Sequence, residues 1–238
     1  MKGYRFLVTA GNTRELIDAV RDWGNIFTGN TGLEIARALA AAGDVDLLTS
    51  NPAHLAAASP PVRASGFTSH EDLKRALATF VNQIVYDAVF MTAAVADYKP
   101  QRVYEVVERR PLDKDGLETW VVRDAQAQKV KSSFEQMAVL GRRTEKLVDL
   151  FRTEWKHRGL LVKFKLEVGI SREELLRVGE ASRRASGANY LVANTLDMVQ
   201  GPDSGAFLLG DAGHEWVARA NLPQRMVALA TAVPPCAA

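Results

Sequence analysis

Short apolar runs alternate with amphipathic stretches along the first part of the chain. The run "YRFLVTAG" ends in small residues, "NTGLEIARALAAAGD" repeats apolar residues at helical spacing, and "VDLLTSN" is again largely apolar. Apolar runs of this length are typical of strands buried on both faces of a parallel sheet. The order strand, helix, strand is that of a βαβ unit, and we expect its helix to stop at Gly43.

The same alternation continues through the rest of the chain. Helices are predicted in "SHEDLKRALATFVNQI", which Ser69 starts, in "TEKLVDLFRTEWKHR", in "REELLRVGEASRRASG", which ends at Gly187, and in "LPQRMVALATAV". Strands are predicted in "YDAVFMTAAVADY", "GLLVKFKLEV" and "NYLVANTLDMV", and a hairpin in "GAFLLGDAGHEWVARA". This pattern predicts the α/β class, with a Rossmann-like parallel sheet flanked by helices.

Two β-rich runs in the middle of the chain depart from this alternation. The runs "RVYEVVERR" and "LETWVVRDA" flank the turn-rich "PLDKDG", which predicts an inserted β-hairpin arm at about 101–128. Because no stretch has the composition of an interdomain linker, we expect residues 1–238 to form a single α/β domain that carries this arm. Val103, Val106, Trp120 and Val122 would be exposed on the arm of a monomer, which favours a partner subunit.

Composition narrows the classes of function. The 238 residues are 47% hydrophobic and 24% charged, with a net charge of +2, so there is no bulk electrostatic case for binding nucleic acid. No apolar run approaches the roughly 18 residues of a membrane span. The single cysteine, Cys236, cannot form an internal disulfide, which favours a reducing cytoplasm, and a catalytic role for this terminal thiol is not expected.

Three loops follow predicted strands and are rich in small residues. They are "TAGNTREL", "AAVADYKP" and "VANTLD". The carboxyl ends of parallel strands meet at one edge of the sheet, where α/β proteins bind their ligands. Small residues let backbone N–H groups approach a ligand, so these loops are the predicted binding site.

Several common site patterns are absent. The first loop lacks G-x-G-x-x-G, no tyrosine has a lysine four residues later, and G-x-x-x-x-G-K-[ST] does not occur, which disfavours dinucleotide-binding dehydrogenases and P-loop NTPases. No G-x-S-x-G elbow is present. The four histidines, His54, His70, His157 and His214, lack metal-ligand spacing, so no protein metal site is predicted.

Six segments, taken in order, form a more specific pattern. They are "VTAGNTRELIDAVRDWGNIFTGNTG", "TAAVADYKP", "KVKSS", "RTEKLVDLFRTEW", "LLVKFKLE" and "YLVAN". Together they resemble the phosphopantothenoylcysteine synthetase family, also called phosphopantothenate–cysteine ligase, over roughly Phe6 to Ala230. Each segment alone is weak, but their shared order is specific. The length resembles the stand-alone form, without a fused decarboxylase.

The resemblance implies a two-step ligation in coenzyme A biosynthesis. The carboxylate of 4′-phosphopantothenate attacks the α-phosphate of CTP or ATP with Mg²⁺, which gives an acyl nucleotidylate and pyrophosphate, and the amine of L-cysteine then attacks the acyl group. This chemistry needs positioning and charge neutralisation rather than a protein nucleophile. The resemblance also implies a homodimer whose arm crosses between subunits.

The opening loop carries the residues that the resemblance makes catalytic. Asn25 matches an asparagine that holds the acyl intermediate, and Arg21 matches an arginine that partners an anionic group. Thr28, Gly29 and Gly32 match the loop that meets phosphate or carboxylate oxygens at the start of a helix.

The resemblance assigns a second set of residues to the nucleotide. Asp97 matches an aspartate on the ribose, and Lys129 a lysine on the triphosphate, with Lys131 close enough to be confused with it. The remaining matches are Gly11, Ala93, Ala94, Val95, Phe164 and Asn194.

Several positions depart from the family pattern. Phe27 replaces a serine of the loop, and Asn12 replaces the second glycine of G-G-T, which restricts its backbone unless it becomes left-handed. Lys163 replaces a glycine, and two lysines of some CTP-using members fall near Ser182 and Ser186. These departures leave the choice of CTP or ATP open, together with the roles of Lys163 and Lys165.

Two other functions stay open at this point. A nicotinamide-dependent oxidoreductase could use a similar sheet, although its glycine fingerprint is missing. A divergent, non-catalytic nucleotide-binding protein is the other alternative, and Phe27 and Asn12 are its support.

Overall fold

A computed structural model describes residues 3–112, 115–199, 201, 204–232 and 234. Cys236 therefore lies outside the described residues. The strands are β1 (Tyr4–Ala10), β2 (Arg14–Leu16), β3 (Asp22–Gly24), β4 (Gly43–Thr49), β5 (Val62–Gly66), β6 (Ala88–Met91), β7 (Tyr98–Pro111), β8 (Glu118–Asp124), β9 (Met137–Arg143), β10 (Leu160–Glu167), β11 (Tyr190–Thr195), β12 (Gly205–Gly210) and β13 (Gly213–Ala218). The helices are α1 (Asn30–Leu39), α2 (Pro52–Ala57), α3 (His70–Gln83), α4 (Leu147–Thr153), α5 (Arg172–Ala185) and α6 (Leu222–Ala230).

The main sheet has eight strands in the order β13-β12-β11-β10-β6-β1-β4-β5. The strands from β11 to β5 pair in parallel, and β12 and β13 form an antiparallel hairpin at the β11 edge. When the six parallel strands are numbered in chain order, the sheet has the doubly wound order 3-2-1-4-5-6. The order in which the chain adds strands to the sheet reverses between β1 and β6, although these strands are parallel. The predicted Rossmann-like class is confirmed.

Helices cover both faces of this sheet. Phe6 and Val8 of β1 lie in the core shared with α1 and α6, whereas Leu7 lies in the core shared with α3 and α4. This alternation follows from the two-residue period of a strand and explains why β1 reads as a continuous apolar run. A smaller cluster packs Leu175 of α5 against β11 and β12.

Local signals predicted the helix ends with mixed success. Ser69 starts α3 through a reciprocal capping box with Asp72, and Gly187 follows α5 in a left-handed conformation. Gly43 does not stop α1, which ends at Leu39. Gly43 instead opens β4, where a side chain would lie 2.1 Å from the carbonyl oxygen of Tyr4.

Other elements differ in extent from the prediction. The third strand is only Ala88–Met91, and the helix predicted in "TEKLVDLFRTEWKHR" is only Leu147–Thr153. The sequence patterns did not predict β2, β3, β5, β9 or α2. Four of these elements have three to six residues, too few for a clear periodicity, and the seven residues of β9, "MAVLGRR", show no alternation of apolar and polar positions.

The predicted hairpin is present as β7 and β8, and β9 extends it to a three-stranded antiparallel sheet. Because β9 pairs with β7 across Val103, this side chain is buried rather than exposed, which corrects the expectation. Val106 is half-buried. Trp120 and Val122 are 47% and 41% exposed, as expected for an arm on a single chain.

A lysine is buried between β10 and α5. Lys163 is 8% exposed, and its Nζ lies 3.0 Å from Ser182 Oγ, 3.2 Å from the Ser182 carbonyl oxygen and 3.1 Å from Ser186 Oγ. These acceptors belong to the end of α5, where the helix dipole favours a cation. Among the described residues, no carboxylate forms an ion pair with Lys163 within 4.0 Å. Burial lowers the pKa of Lys163 to about 8.

We expect Lys163→Met to change how stability depends on pH. In the folded chain the pKa of Lys163 is about 8 against an ordinary value of 10.5, so over this interval the unfolded chain binds more protons. The free energy of unfolding of the parent should therefore rise relative to that of Lys163→Met as the pH increases from about 8 to 10.5. Urea titrations across this range measure the difference.

The matched control is Lys165→Met, which removes the same charge from a more exposed site on the same strand. A difference between the parent and Lys163→Met that stays constant with pH would contradict the account of Lys163.

Candidate active site

A cavity of about 430 Å³ opens at the point where the strand order reverses. Gly11 follows β1 and Thr92, Ala93 and Ala94 follow β6, and all four line the cavity. The first residues of α1 also line the cavity, as do residues of β10 and β11 and of the segment that follows β11. This is where the doubly wound fold binds its ligands.

Three glycines allow the backbones of the loops around this cavity to pack directly against neighbouring atoms. A side chain on Gly29 would place its Cβ 2.0 Å from the amide nitrogen of Gly11, and one on Gly32 would lie 2.4 Å from Thr92 Oγ1. Gly11 and Gly29 also have φ angles of +86° and +83°. The predicted loop glycines are therefore required by close approach and by left-handed backbone. Asn12 does not have a positive φ. The residue of this loop that takes the left-handed conformation is Gly11 instead.

The start of α1 presents free backbone donors. Its N-cap is Gly29, which has no side chain to accept from the first turn, whereas Ser69 caps α3 and Ser171 caps α5. The N–H groups of the first turn have no partner within the helix and carry the positive end of its dipole. Because Asn30, Thr31 and Gly32 line the cavity, this end of the cavity suits phosphate or carboxylate oxygens.

The rest of the cavity lining is mostly apolar and includes two cationic side chains. Phe164, Leu166, Val192, Met198 and Leu222 supply the apolar surface. Lys165 and Arg219 also line the cavity; Lys165 Nζ lies 2.6 Å from Glu167 Oε1, and Arg219 Nη1 donates to the Val199 carbonyl at 3.1 Å. The arrangement can hold a flat ring against the apolar surface and anionic groups towards α1.

Sequence reasoning missed some of this lining. Arg219 and Leu222 follow the hairpin of β12 and β13, and Leu196 and Met198 lie in a 3-10 helix after β11. A hairpin motif does not indicate where the chain returns, so no signal in the sequence marked Arg219. Asn194 and Phe164, by contrast, were predicted and both line the cavity.

Asn25 lies beside the cavity rather than in it. Its Nδ2 donates to the carbonyl oxygen of Ala94 at 3.3 Å, and Asn12 Nδ2 donates to the Asn25 carbonyl. Asn25 and Asp97 share a neighbouring depression with Trp23. The structure therefore brings Asn25 and Asp97 together next to the loop that carries Phe27 and Thr28, and those two residues line the cavity itself.

Arg21 and Lys129 lie elsewhere, in a separate depression with Lys131. Arg21 Nε donates to Asp18 Oδ2 at 3.0 Å, and Arg21 Nη2 donates to the Val130 carbonyl at 2.8 Å. The hydrogen bond from Arg21 and that from the Val130 amide hold the pKa of the fully buried Asp18 carboxyl well below its usual range. Within one chain Arg21 already pairs with a carboxylate, and the structure does not bring it or Lys129 to the cavity.

Val95 does not line the cavity, and it packs against the core shared with α3 and α4. Of the residues predicted for the site, the cavity itself contains Gly11, Thr28, Gly29, Gly32, Ala93, Ala94, Phe164 and Asn194. Within the described part of the chain, no three His, Cys, Asp or Glu side chains form a group that could hold a metal ion. No helix in that part has the length and hydropathy needed to cross a membrane.

Comparisons with known proteins concern the sequence and the fold of the chain. Residues 1–111 match the family described as DNA/pantothenate metabolism flavoprotein C-terminal domain. The chain is 34% identical over 122 residues to a coenzyme A biosynthesis bifunctional protein CoaBC of Vibrio cholerae, which is 51% of this chain and 30% of that protein. It is 26% identical over 211 residues to the CoaBC protein of Thermococcus kodakarensis, which is 88% of this chain and 46% of that protein. The chain thus spans less than half the length of these curated relatives.

Two solved structures share the fold. The DNA/pantothenate metabolism flavoprotein of Streptococcus pneumoniae superposes with a TM-score of 0.79 at 23% identity, covering 96% of this chain and 99% of that one. A Cab2 mutant in complex with phosphopantothenate-cysteine superposes with a TM-score of 0.68 at 14% identity, covering 95% and 86%. The matching family and the CoaBC relatives confirm the sequence resemblance, and the two solved structures show that the fold is shared.

Proposed function

We propose that this protein is a phosphopantothenate–cysteine ligase of coenzyme A biosynthesis. The observation that carries the proposal is the cavity at the reversal of strand order, which the uncapped start of α1 lines together with a mostly apolar surface that includes two cations. Relatives named coenzyme A biosynthesis bifunctional protein CoaBC support it, as does the fold shared with a Cab2 mutant that binds phosphopantothenate-cysteine.

The proposed reaction has two steps. A carboxylate oxygen of 4′-phosphopantothenate attacks the α-phosphorus of CTP or ATP, and the bond to the β-phosphate breaks to release pyrophosphate. The amine of L-cysteine then attacks the acyl carbon, loses a proton, and the nucleoside monophosphate leaves with the former carboxylate oxygen. Negative charge develops on phosphate oxygens in the first step and on the acyl oxygen in the second, so preorganised donors accelerate both.

The cavity offers donors at suitable places. The first N–H groups of α1 would meet phosphate oxygens, and Lys165 and Arg219, which also line the cavity, would neutralise charge. Phe164 and Val192 would pack against the base, with Asn194 and the backbone of Ala93 and Ala94 at its edge. Because the described residues form no metal cage, Mg²⁺ would enter on the triphosphate, which is its usual mode with nucleotides.

Asn25 is the proposed catalytic residue of the second step. Its amide nitrogen contacts Ala94, the residue that also borders the nucleotide space, so a small movement of the loop would bring this donor to the acyl oxygen. Asp97 shares its depression and would accept from ribose hydroxyls. Phe27 lines the cavity where the family has a serine, and it would add an apolar contact in place of a hydroxyl.

We further propose a cytoplasmic homodimer. The arm exposes Val107, Trp120, Val121 and Val122, and a surface of this kind is typical of an interface. Arg21 and Lys129 lie outside the cavity of their own chain, so a crossing arm would give them a role that one chain alone does not.

The alternative functions have less support. An oxidoreductase would need a dinucleotide loop after β1, and the chain has Gly11 followed by a detour through β2 and β3. The hypothesis of a non-catalytic homologue rests on Phe27 and Asn12, and the structure accommodates both. Phe27 lines the cavity, and Asn12 donates a hydrogen bond to the Asn25 carbonyl in the loop.

We expect Asn25→Ala to separate the two steps. The first step needs phosphate contacts from α1, so pyrophosphate release in a single turnover should persist, whereas transfer to cysteine should slow by about 100-fold, the usual effect of removing one such donor. Rapid quench of reactions with phosphopantothenate, Mg²⁺ and either CTP or ATP would measure the accumulated acyl nucleotidylate.

Asn189→Ala is the matched control, because Asn189 bonds Arg152 and the backbone of β10 far from the cavity. The parent should release pyrophosphate only when phosphopantothenate is present. If neither nucleotide led to release of pyrophosphate, the ligase proposal would be contradicted. If Asn25→Ala turned over normally, the catalytic role proposed for Asn25 would be wrong.

We expect Val122→Glu to weaken the dimer. A carboxylate on the exposed face of β8 would lose its hydration when the arm is covered, which carries a large desolvation cost. Sedimentation velocity over a concentration series should show the parent as a dimer and the variant as a monomer. Val85→Glu is the control, because Val85 is 65% exposed and lies outside the arm. A monomeric parent would contradict this proposal.

A further inference from the structure

A buried histidine lies behind the loop that enters α1, and the proposed reaction does not use it. His54 of α2 is 3% exposed. Its Nδ1 lies 3.1 Å from Thr49 Oγ1, and its Nε2 lies 3.2 Å from Asn51 Nδ2. The side-chain oxygen Oδ1 of Asn30, the first residue of α1, also lies 3.2 Å from Nε2. One imidazole therefore contacts the end of β4, the N-cap of α2 and the start of α1.

Asn51 has a fixed orientation because it caps α2. Its Oδ1 accepts from the amide nitrogen of Ala53 at 3.0 Å, so its NH₂ group must face the other way. That group donates to the carbonyl oxygen of Thr28 at 3.0 Å and presents its second proton to His54 Nε2. The cap of α2 thus reaches across to the loop that forms the cavity wall.

The ionisation state of His54 suits this contact. Burial, and to a lesser extent the charge of Arg37, lowers the pKa of the His54 imidazole. A neutral ring whose Nε2 accepts from Asn51 carries its proton on Nδ1 and donates it to Thr49 Oγ1. A proton on Nε2 would instead be donated to Asn30 Oδ1 and would face the NH₂ group of Asn51, so the contact with Asn51 needs the tautomer that carries its proton on Nδ1. The ring therefore supports Asn51 in the neutral form.

The Thr28 carbonyl controls the direction of the next amide. In a trans peptide the C=O and the following N–H point in opposite directions, so a Thr28 carbonyl held towards Asn51 directs the Gly29 N–H away from α2. No residue of α2 lines the cavity, but Gly29 does. Gly29 has a φ of +83° and lacks a side chain, so its own backbone does not prevent this peptide from flipping. A flipped peptide would turn the Thr28 oxygen towards bound anions.

We propose that Asn51 and His54 are positioning residues that hold the Thr28–Gly29 peptide in its anion-binding orientation. They thereby set the affinity of the cavity for the triphosphate of the nucleotide. In naming a triphosphate this inference rests on the proposed function, but the orientation of the loop does not depend on turnover.

Asn51→Asp tests the proposal directly. Aspartate keeps the oxygen that caps α2, since it is as good an N-cap as asparagine, and it replaces the donor that faces Thr28 with an acceptor. Two oxygens would then face each other, so the peptide should turn. We expect the Kd for CTP and for ATP, each with Mg²⁺ and measured by calorimetry, to rise by about tenfold or more, the equivalent of one lost hydrogen bond.

A matched pair at position 54 isolates the role of the imidazole. His54→Gln can place an amide oxygen near the position of Nε2 and so keep an acceptor for Asn51 Nδ2, whereas His54→Leu fills similar space without one. The glutamine variant should bind the nucleotide within about twofold of the parent and the leucine variant several-fold more weakly. Urea unfolding of both variants separates this effect from a loss of stability.

Nitrogen chemical shifts of the ring give an independent readout. They should report a neutral His54 with the proton on Nδ1 in the parent at pH 7, and a protonated ring in Asn51→Asp, because the new carboxylate faces Nε2. If Asn51 served only to stabilise α2, Asn51→Asp would not change the affinity for nucleotide, because this variant remains folded and keeps the cap of α2.

The outcomes separate this inference from the proposed function. If folded Asn51→Asp binds both nucleotides within about twofold of the parent, the positioning role is wrong. If the parent binds a nucleotide but releases no pyrophosphate, only the ligase proposal fails. If the parent binds neither CTP nor ATP, the loop is not a triphosphate site, and both are overturned.

Discussion

The contact between the backbones of Gly29 and Gly11 is the constraint on which the site depends. A Cβ on Gly29 would lie 2.0 Å from the Gly11 amide nitrogen, so the loop before α1 lies directly on the end of β1. Gly32 makes a similar approach to Thr92 after β6. These contacts place the start of α1 between the two strands where the sheet changes direction, and the cavity is the space that remains.

This arrangement has a structural consequence for the loop. A glycine N-cap leaves the first turn of α1 without a side-chain acceptor, which exposes donors to a ligand but leaves the loop without its own support. Hydrogen bonds on the side of α2 supply this support, through its N-cap Asn51 and through His54 within the six-residue helix. On the proposed function, the surface that would bind anions is separate from the hydrogen bonds that would orient its loop.

Patterns in the sequence predicted features that local chemistry determines. Ser69 and Gly187 marked helix ends through capping and a left-handed residue, and the apolar runs marked the buried strands. Features set by tertiary contacts were not predictable. Gly43 is required by the neighbouring Tyr4 rather than by a helix end, and β9 buries Val103 across a strand pair that no periodicity indicates. For the same reason the motif named the loop glycines but not Arg219, which a distant hairpin brings to the cavity.

The central claim is that a carboxylate attacks the α-phosphorus of the nucleotide in this cavity, so that the acid takes up the nucleotidyl group and pyrophosphate leaves. Phosphopantothenate labelled with oxygen-18 in its carboxylate tests it most directly, because the labelled oxygen must leave with the group that activated the acyl carbon. Mass spectrometry of a completed reaction with cysteine should find one labelled oxygen in the nucleoside monophosphate and none in the pyrophosphate. Label in inorganic phosphate would indicate an acyl phosphate, and no transfer of label to any phosphate product would contradict the ligase account.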